Sequence, residues 1–159
     1  AHPTGFVIYK PHPDVEAGLR PGALMQHGDA DLVANNSAAI ELIDRADRVV
    51  AMTSLLGFEA LLRGVPVTTL GAPFYAGWGL THDRGPVPER RRARPDLAGL
   101  VHAALIDYPR YVDPVTGQPC PVEIIVERLS QGTVPHPGAL NRGLSKLQGL
   151  LATYAHLWR

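Results

Sequence analysis

The sequence predicts an α/β fold, a parallel sheet flanked by helices. Three observations predict it. Short, continuous apolar runs recur, as strands buried on both faces require: Gly5-Phe6-Val7-Ile8-Tyr9-Lys10, Arg48-Val49-Val50-Ala51-Met52 and Val65 to Leu70. Between them lie segments whose apolar residues recur at helical spacing. The links are short, so strand and helix alternate as they do in parallel sheets.

Taken in order, the first run ends at Pro11 and reads as a buried strand. Asp14 to Gly28 is turn-rich and polar, and Asp31 to Ala34 suits a second short strand. Asn36-Ser37 can cap a helix whose buried stripe is Ala39, Ile40, Ile43 and Ala46. The run 48–52 is the next strand. Thr53-Ser54 follows at once as a cap, then a helix from Leu55 to Arg63 with Leu55, Phe58 and Leu62 on one face. Gly64 stops this helix and Pro66 lies just beyond, before the strand Val65 to Leu70. Ala72 to Thr81 is a loop, and Pro86 to Pro95 is too rich in proline and arginine to be regular. Asp96 caps a helix to about Asp107, Asp113 to Gly117 is a turn, and Val122 to Leu129 is a short helix. The last helix opens at Pro137 or Gly138 and runs to about Trp158. Its seam of Leu140, Leu144, Leu147, Leu151, Tyr154 and Trp158 packs on this domain's own sheet, or in part on a neighbouring domain. The expectation is one domain over 1–159, helical from about 96 onward.

Composition narrows the function. The 159 residues and 45% apolar content suit one core. Fifteen basic and fifteen acidic residues balance to zero formal charge, which argues against a general nucleic-acid binder. Cys120 is the single cysteine, so no internal disulfide forms, and no zinc spacing occurs. One lone cysteine fits a reducing cytoplasm. No apolar run approaches the ~20 residues that span a bilayer. Ala1-His2-Pro3-Thr4 lacks the apolar core of a signal peptide and reads as a cut just before a strand.

Ligands of open α/β sheets bind beyond the carboxyl ends of the strands, so residues there are the first candidates. Lys10-Pro11-His12-Pro13 ends the first strand. Lysine offers a point charge and histidine a directional N–H, both suited to phosphate; an incidental surface turn is the plainer alternative. Thr53-Ser54 stands at the next junction, where a helix start attracts phosphate, although capping alone explains a hydroxyl there. Glu59 lies further along that helix. Its carboxylate suits both hydroxyls of a ribose, or else an i,i+4 pair with Arg63. Phe74-Tyr75-Ala76-Gly77-Trp78-Gly79-Leu80-Thr81 interleaves aromatics with glycines, which makes poor core but a good mobile rim for a sugar site, or else a loop pinned by one buried Trp. Arg84, Arg90, Arg91, Arg92 and Arg94 form either a solvated face or a contact for an anionic acceptor or lipid headgroup.

Three of these segments carry a family resemblance: Tyr9 to Asp14, Met52 to Gly64, and Pro73 to Thr81, with Tyr108 to Pro114 as a fourth. The chain resembles, over most of its length, the KpsC family, called LipA in some species, of capsule-assembly Kdo transferases. The Phe-Tyr-Ala-Gly-Trp-Gly segment is highly specific, whereas Glu-Ala-Leu-x-x-Gly-x-Pro-Val is common to many GT-B glycosyltransferases. The resemblance implies a Rossmann-like sheet, the C-terminal, donor-binding half of a GT-B module. It implies a cytoplasmic enzyme, peripheral at the inner membrane, that transfers Kdo from CMP-Kdo with retention of the β configuration. The product would be the oligo-Kdo linker on a (lyso)phosphatidylglycerol-type lipid, in capsular polysaccharide biosynthesis and export.

Matched by position, Lys10, His12 and Pro13 would hold the CMP phosphate with Thr53 and Ser54, and Glu59 the ribose. Tyr75, Gly77, Trp78 and Arg84 would lie near the donor sugar or acceptor. No cofactor and no metal are expected, CMP-Kdo entering as donor substrate. His12 could stabilise the leaving group electrostatically. The nucleophile is expected from a second Rossmann-like half of the same polypeptide, so this chain alone is expected to be inactive. Asp14, Asp29, Asp31 and Asp83 are available carboxylates that nothing singles out. Other expected partners are a sugar nucleotide, an anionic glycolipid and the capsule assembly machinery, with no nucleic acid. The alternatives are a CDP-glycerol or CMP-sialic acid transferase domain, and a non-catalytic scaffold module of capsule export.

Overall fold

The computed structural model describes residues 5–16, 29–35 and 37–135. The chain divides into two compact units, one of Ala1–Ser37 with Pro135–Arg159, the other of Ala38–Val134.

In the first unit, β1 (Ile8–Tyr9) pairs in parallel with β2 (Leu32–Val33), Ile8 opposite Leu32. The Val7 carbonyl accepts the N–H of Asp31 at 2.9 Å, and the Asp31 carboxylate accepts the Val7 N–H at 2.7 Å. Both expected strands are therefore present, each shorter than its segment, but the first is not the buried strand expected, since Phe6, Val7 and Ile8 are exposed. A single helical turn, α1 (Pro13–Glu16), follows β1. It starts on proline, whose missing N–H costs nothing at a first helical position.

In the second unit, β3 (Val49–Ala51), β4 (Val67–Thr69) and β5 (His82–Asp83) form a parallel sheet in that order. Helix α2 (Ala39–Ile43) precedes β3, and α3 (Leu56–Leu62) joins β3 to β4. The core gathers Ile43, Val49, Phe58, Ala60, Leu61, Val67, Tyr75 and Leu100. All three residues of β4 are buried, two of them threonines.

The buried helix faces differ from those expected. On α3 the face is Gly57, Phe58, Ala60 and Leu61, while Leu55 and Leu62 are exposed. The helix begins one residue late, at Leu56, so the partner of Phe58 across one turn is Leu61. On α2 only Ile43 is buried, Ile40 is exposed, and Ala38 occupies the cap position without a side-chain bond. Asn36 lies outside the described residues. The stop at Gly64 is as expected. Gly64 has φ +72°, its N–H reaches the Leu61 carbonyl, and the Val65 N–H reaches that of Ala60. These two bonds make a Schellman cap.

Helix α4 (Leu97–His102) opens on Asp96, whose Oδ1 accepts the Gly99 N–H at 2.8 Å, as expected of its cap. It widens into a π-helical turn over Ala103–Asp107, so its extent also matches. The stretch beyond is not wholly helical. β6 (Tyr111–Val112) and β7 (Pro119–Cys120) form an antiparallel hairpin around the turn at 113–117, before α5 (Val122–Ser130). The helix expected from Pro137 or Gly138 to Trp158 lies outside the described residues.

Asp113 explains the hairpin. Its buried carboxylate accepts the Val115 N–H at 3.0 Å and the Thr116 hydroxyl at 3.1 Å. Arg128 of α5 closes on it with two parallel bonds, Nε at 3.1 Å and Nη2 at 2.9 Å. The Arg128 bonds first, then the Val115 N–H, hold the Asp113 carboxyl down at about 2. Its folded value thus lies below its unfolded one, so its contribution to stability is present above about pH 4 and lost as pH falls toward about 2. Thermal melts across that window should show falling stability. An Asp113→Asn variant should melt lower near neutral pH and lack that part of the acid slope.

Candidate functional site

The three strands of the second unit are parallel, so their carboxyl ends leave on one edge. Met52-Thr53-Ser54 follows β3, Leu70-Gly71 follows β4 and Arg84-Gly85 follows β5. Glycine lets these ends lie close. A Cβ on Gly71 would meet the Met52 carbonyl oxygen at 3.0 Å, and one on Gly85 would overlap the Leu70 carbonyl. Thr53, Ser54 and Arg84 are exposed on this edge.

Ser54 is not the cap residue of α3. Leu55 holds that position and forms no side-chain cap. The Ser54 hydroxyl instead accepts the Leu56 N–H at 3.2 Å, a local hydroxyl turn. A hydroxyl that accepts keeps its own proton for donation. The backbone N–H groups of Thr53, Ser54 and Leu55 meet no acceptor among the described residues. The Ser54 carbonyl, by contrast, is engaged from below: the Tyr75 hydroxyl donates to it at 2.5 Å.

Tyr75 belongs to the core. It is 0% exposed, stacks on Phe58 and meets Phe74 edge-on. Burial raises its phenol above the usual range. The expectation of poor core in this loop therefore fails at Tyr75. The loop around it is held at several points. Gly77, at φ +84°, donates its N–H to Asp83 Oδ2 at 2.9 Å. Asp83 Oδ1 accepts the hydroxyls of Thr69 and Thr81, each at 2.7 Å. Trp78, half-buried, donates its Nε1–H to the Phe74 carbonyl at 2.7 Å. Arg91 Nη1 bonds the carbonyls of Pro73 at 2.6 Å and Ala76 at 2.8 Å, and its guanidinium lies 5.6 Å from the Trp78 ring centroid. Arg94 reaches the Gly77 carbonyl at 3.3 Å.

The arginine cluster thus splits. Arg91 and Arg94 tie the loop down, which neither a solvated face nor an acceptor contact describes. Arg84 bonds His82 Nε2 at 2.8 Å and is exposed at the end of β5. Arg92 bonds the Glu89 carbonyl, and Arg90 is exposed. Asp83, Arg91 and Gly57 are the structural residues that sequence reasoning did not single out. Asp83 meets Thr69 of β4 fourteen residues away and Arg91 meets the Pro73 carbonyl eighteen away, contacts that no period announces.

Glu59 is half-buried on α3 and its carboxylate has no partner among the described residues. The i,i+4 pair does not form, because Arg63 turns to Asp44 at 3.1 Å and to the backbone carbonyl of Glu59. In the first unit, Lys10 is 14% exposed at its side chain and sits 2.8 Å from Glu16, itself 18% exposed. His12 is half-exposed, and its Nδ1 accepts the Asp14 N–H at 3.1 Å. The proton of the neutral ring therefore sits on Nε2. Pro11 is buried, and Pro13, exposed, begins α1. Among the described residues no three His, Cys, Asp or Glu side chains group as metal ligands.

Residues 1–111 match the model of a family described as capsule polysaccharide biosynthesis protein. The chain belongs to this capsule family. It is 39% identical over 163 residues to the capsule polysaccharide modification protein LipA of Neisseria meningitidis serogroup B, covering 96% of this chain and 23% of LipA. It is 42% identical over 147 residues to the lipopolysaccharide-processing protein LpsZ of Rhizobium meliloti, covering 91% of this chain and 33% of LpsZ. Among solved structures it is similar to two Thermosulfurimonas dismutans KpsC proteins. Against the β-Kdo 2,4 transferase the TM-score is 0.69 at 37% identity, over 77% of this chain and 39% of that one. Against the β-Kdo 2,7 transferase it is 0.71 at 41% identity, over 83% and 42%. The chain thus spans a quarter to a third of the curated relatives. The α/β fold expected from the sequence, a parallel sheet with flanking helices, is the fold it shares with these transferases.

In this capsule-family chain, then, the turn after β3 rests on a phenol supplied by the loop after β4. Gly57 makes the space, since a Cβ there would overlap the Tyr75 hydroxyl and lie 2.8 Å from its Cζ. Gly57→Ala should cost roughly 1–3 kcal/mol by denaturant unfolding, the usual penalty of overpacking. A change under about 0.5 kcal/mol, within the range of neutral surface substitutions, would show that Tyr75 is not held there.

Proposed function

We propose that this chain supplies the donor-binding part of a retaining β-Kdo transferase in capsule polysaccharide biosynthesis and export. The donor is CMP-Kdo, and the acceptor is an anionic glycolipid of the (lyso)phosphatidylglycerol type. The observation that carries this reading is the likeness to two KpsC Kdo transferases at 37% and 41% identity. A likeness at that level, with TM-scores of 0.69 and 0.71, covers sequence as well as architecture.

The chemistry of the turns supports it. When the bond from Kdo to phosphate breaks, negative charge grows on CMP, and donors aimed at that phosphate favour its departure. The Ser54 hydroxyl proton, the Thr53 and Ser54 N–H groups and the His12 Nε2–H are uncommitted donors of this kind. Lys10 supplies charge on the β1 turn that Pro13 closes, though Glu16 already shares it. The free carboxylate of Glu59 suits two ribose hydroxyls. Gly77, Trp78 and Arg84 serve the donor sugar or acceptor, and Tyr75 serves them from beneath. The nucleophile comes from a second Rossmann-like half of the polypeptide, and the protein works with the capsule assembly machinery, cytoplasmic and peripheral at the inner membrane. No helix among the described residues is long and apolar enough to cross a membrane.

Calorimetric titration with CMP tests this. Saturable binding is expected, and none at millimolar CMP with folded protein would remove the reading. Ser54→Ala and His12→Ala should each weaken CMP binding by about tenfold or more, as loss of a hydrogen bond to a charged group does. Preference for CDP-glycerol or CMP-sialic acid over CMP-Kdo would reassign the donor, and no nucleotide preference at all would favour a scaffold module.

A further inference from the structure

A buried hydroxyl is costly unless bonded, and phenylalanine would fill the space of Tyr75 without that cost. Tyr75 spends its hydroxyl on one atom, the Ser54 carbonyl oxygen, 21 residues back in the chain. That carbonyl has little else. The Phe58 N–H, its regular helical partner, bonds Leu55 at 2.8 Å, and the Gly57 N–H lies at 3.3 Å. The phenol therefore makes the short bond at this peptide, in a space that Gly57 leaves open.

A trans peptide is planar, with its carbonyl and its N–H pointing opposite ways. Holding the Ser54 carbonyl toward the core therefore turns the Leu55 N–H away from it. It also fixes Ser54, whose hydroxyl is anchored to the Leu56 N–H and keeps a proton to give. The position of Tyr75 is itself imposed. Arg91 bonds the carbonyls of Pro73 and Ala76 on either side of it, and Asp83 bonds the N–H of Gly77.

We infer that Tyr75 is a positioning residue that couples the 73–81 loop to Ser54, setting the nucleotide-binding turn from beneath. This rests on the donor-binding reading of Ser54. Tyr75 touches no ligand, being fully buried. Loop and turn move together, so a ligand group that shifts the loop shifts Ser54, and CMP bound at Ser54 orders the loop.

The test is Tyr75→Phe in the intact protein, with CMP affinity by calorimetry and melting temperature measured together. The ring remains and the Gly57 N–H still bonds the Ser54 carbonyl, so melting should fall by no more than one lost hydrogen bond, while CMP affinity should fall about tenfold. Asp113→Asn, which destabilises the hairpin away from this turn, should lower melting and leave CMP affinity unchanged. Should Tyr75→Phe not fold, Gly57→Ala keeps the phenol, displaces its hydroxyl and should give the same loss. Wild-type protein that binds no CMP overturns the donor-binding reading and this inference together. Wild-type binding that Tyr75→Phe matches within about twofold, or an equal loss in Asp113→Asn, overturns this inference alone.

Discussion

The carboxylate of Asp83 is the constraint from which the second unit's carboxyl edge is built. A strand of two polar residues, His82 and Asp83, has little apolar burial to hold it in a sheet. Side-chain bonds do that work. One oxygen of Asp83 takes the hydroxyls of Thr69 and Thr81, the other the N–H of Gly77. The Thr69 bond joins β5 to the fully buried β4, and the Gly77 bond sets the loop between them at a residue whose positive φ favours glycine. With the loop set, Tyr75 enters the core, and with Tyr75 set, so is the Ser54 carbonyl. Strand pairing, loop shape and the turn after β3 therefore form one dependent series.

The arginines complete that series from the solvent side. An irregular loop presents carbonyls that no ladder satisfies. A guanidinium, with five donors in a rigid fork, can take several of them at once. Arg91 takes two and also lies over Trp78; Arg94 takes a third. The loop is thus held between a carboxylate within the unit and two cations at its surface. Of the five arginines between 84 and 94, Arg84 is the one left at the strand edge where an anionic group would arrive.

The sequence disclosed what burial periodicity can disclose. The segments at 5–10, 31–34, 48–52 and 65–70 each hold a strand, although only β4 is buried on both faces. Gly64 and Asp96 were legible because caps are local chemistry. β5 was not legible, since nothing in His82-Asp83 resembles a strand until the Thr69 bond is known. The hairpin showed only its turn, because Pro119-Cys120 has no strand pattern and its register depends on Asp113 meeting Arg128 fifteen residues away. The loop's mix of aromatics and glycines gave no sign that one ring of three would be core. At the site, residue types and strand-end positions could be read; the tie from Tyr75 to Ser54 could not, because it links two irregular segments.

Under the proposed reading, the turn after β1 and the turn after β3 would each offer a phosphate a different kind of attraction. At the β1 turn Lys10 is largely buried beside Glu16, and Asp14 brings a second carboxylate within 3.6 Å of His12. What stays uncommitted is the Nε2–H of His12, together with the hydroxyl and N–H groups after β3. Under the proposed reading such dipoles are fixed before the donor arrives, whereas a diester phosphate gains charge only as CMP departs. Fixed donors gain most where charge grows, so they favour departure over ground-state binding. Under that reading the aim of each donor is set within its own unit: that of His12 by the Asp14 N–H, and that of Ser54 by the phenol beneath it.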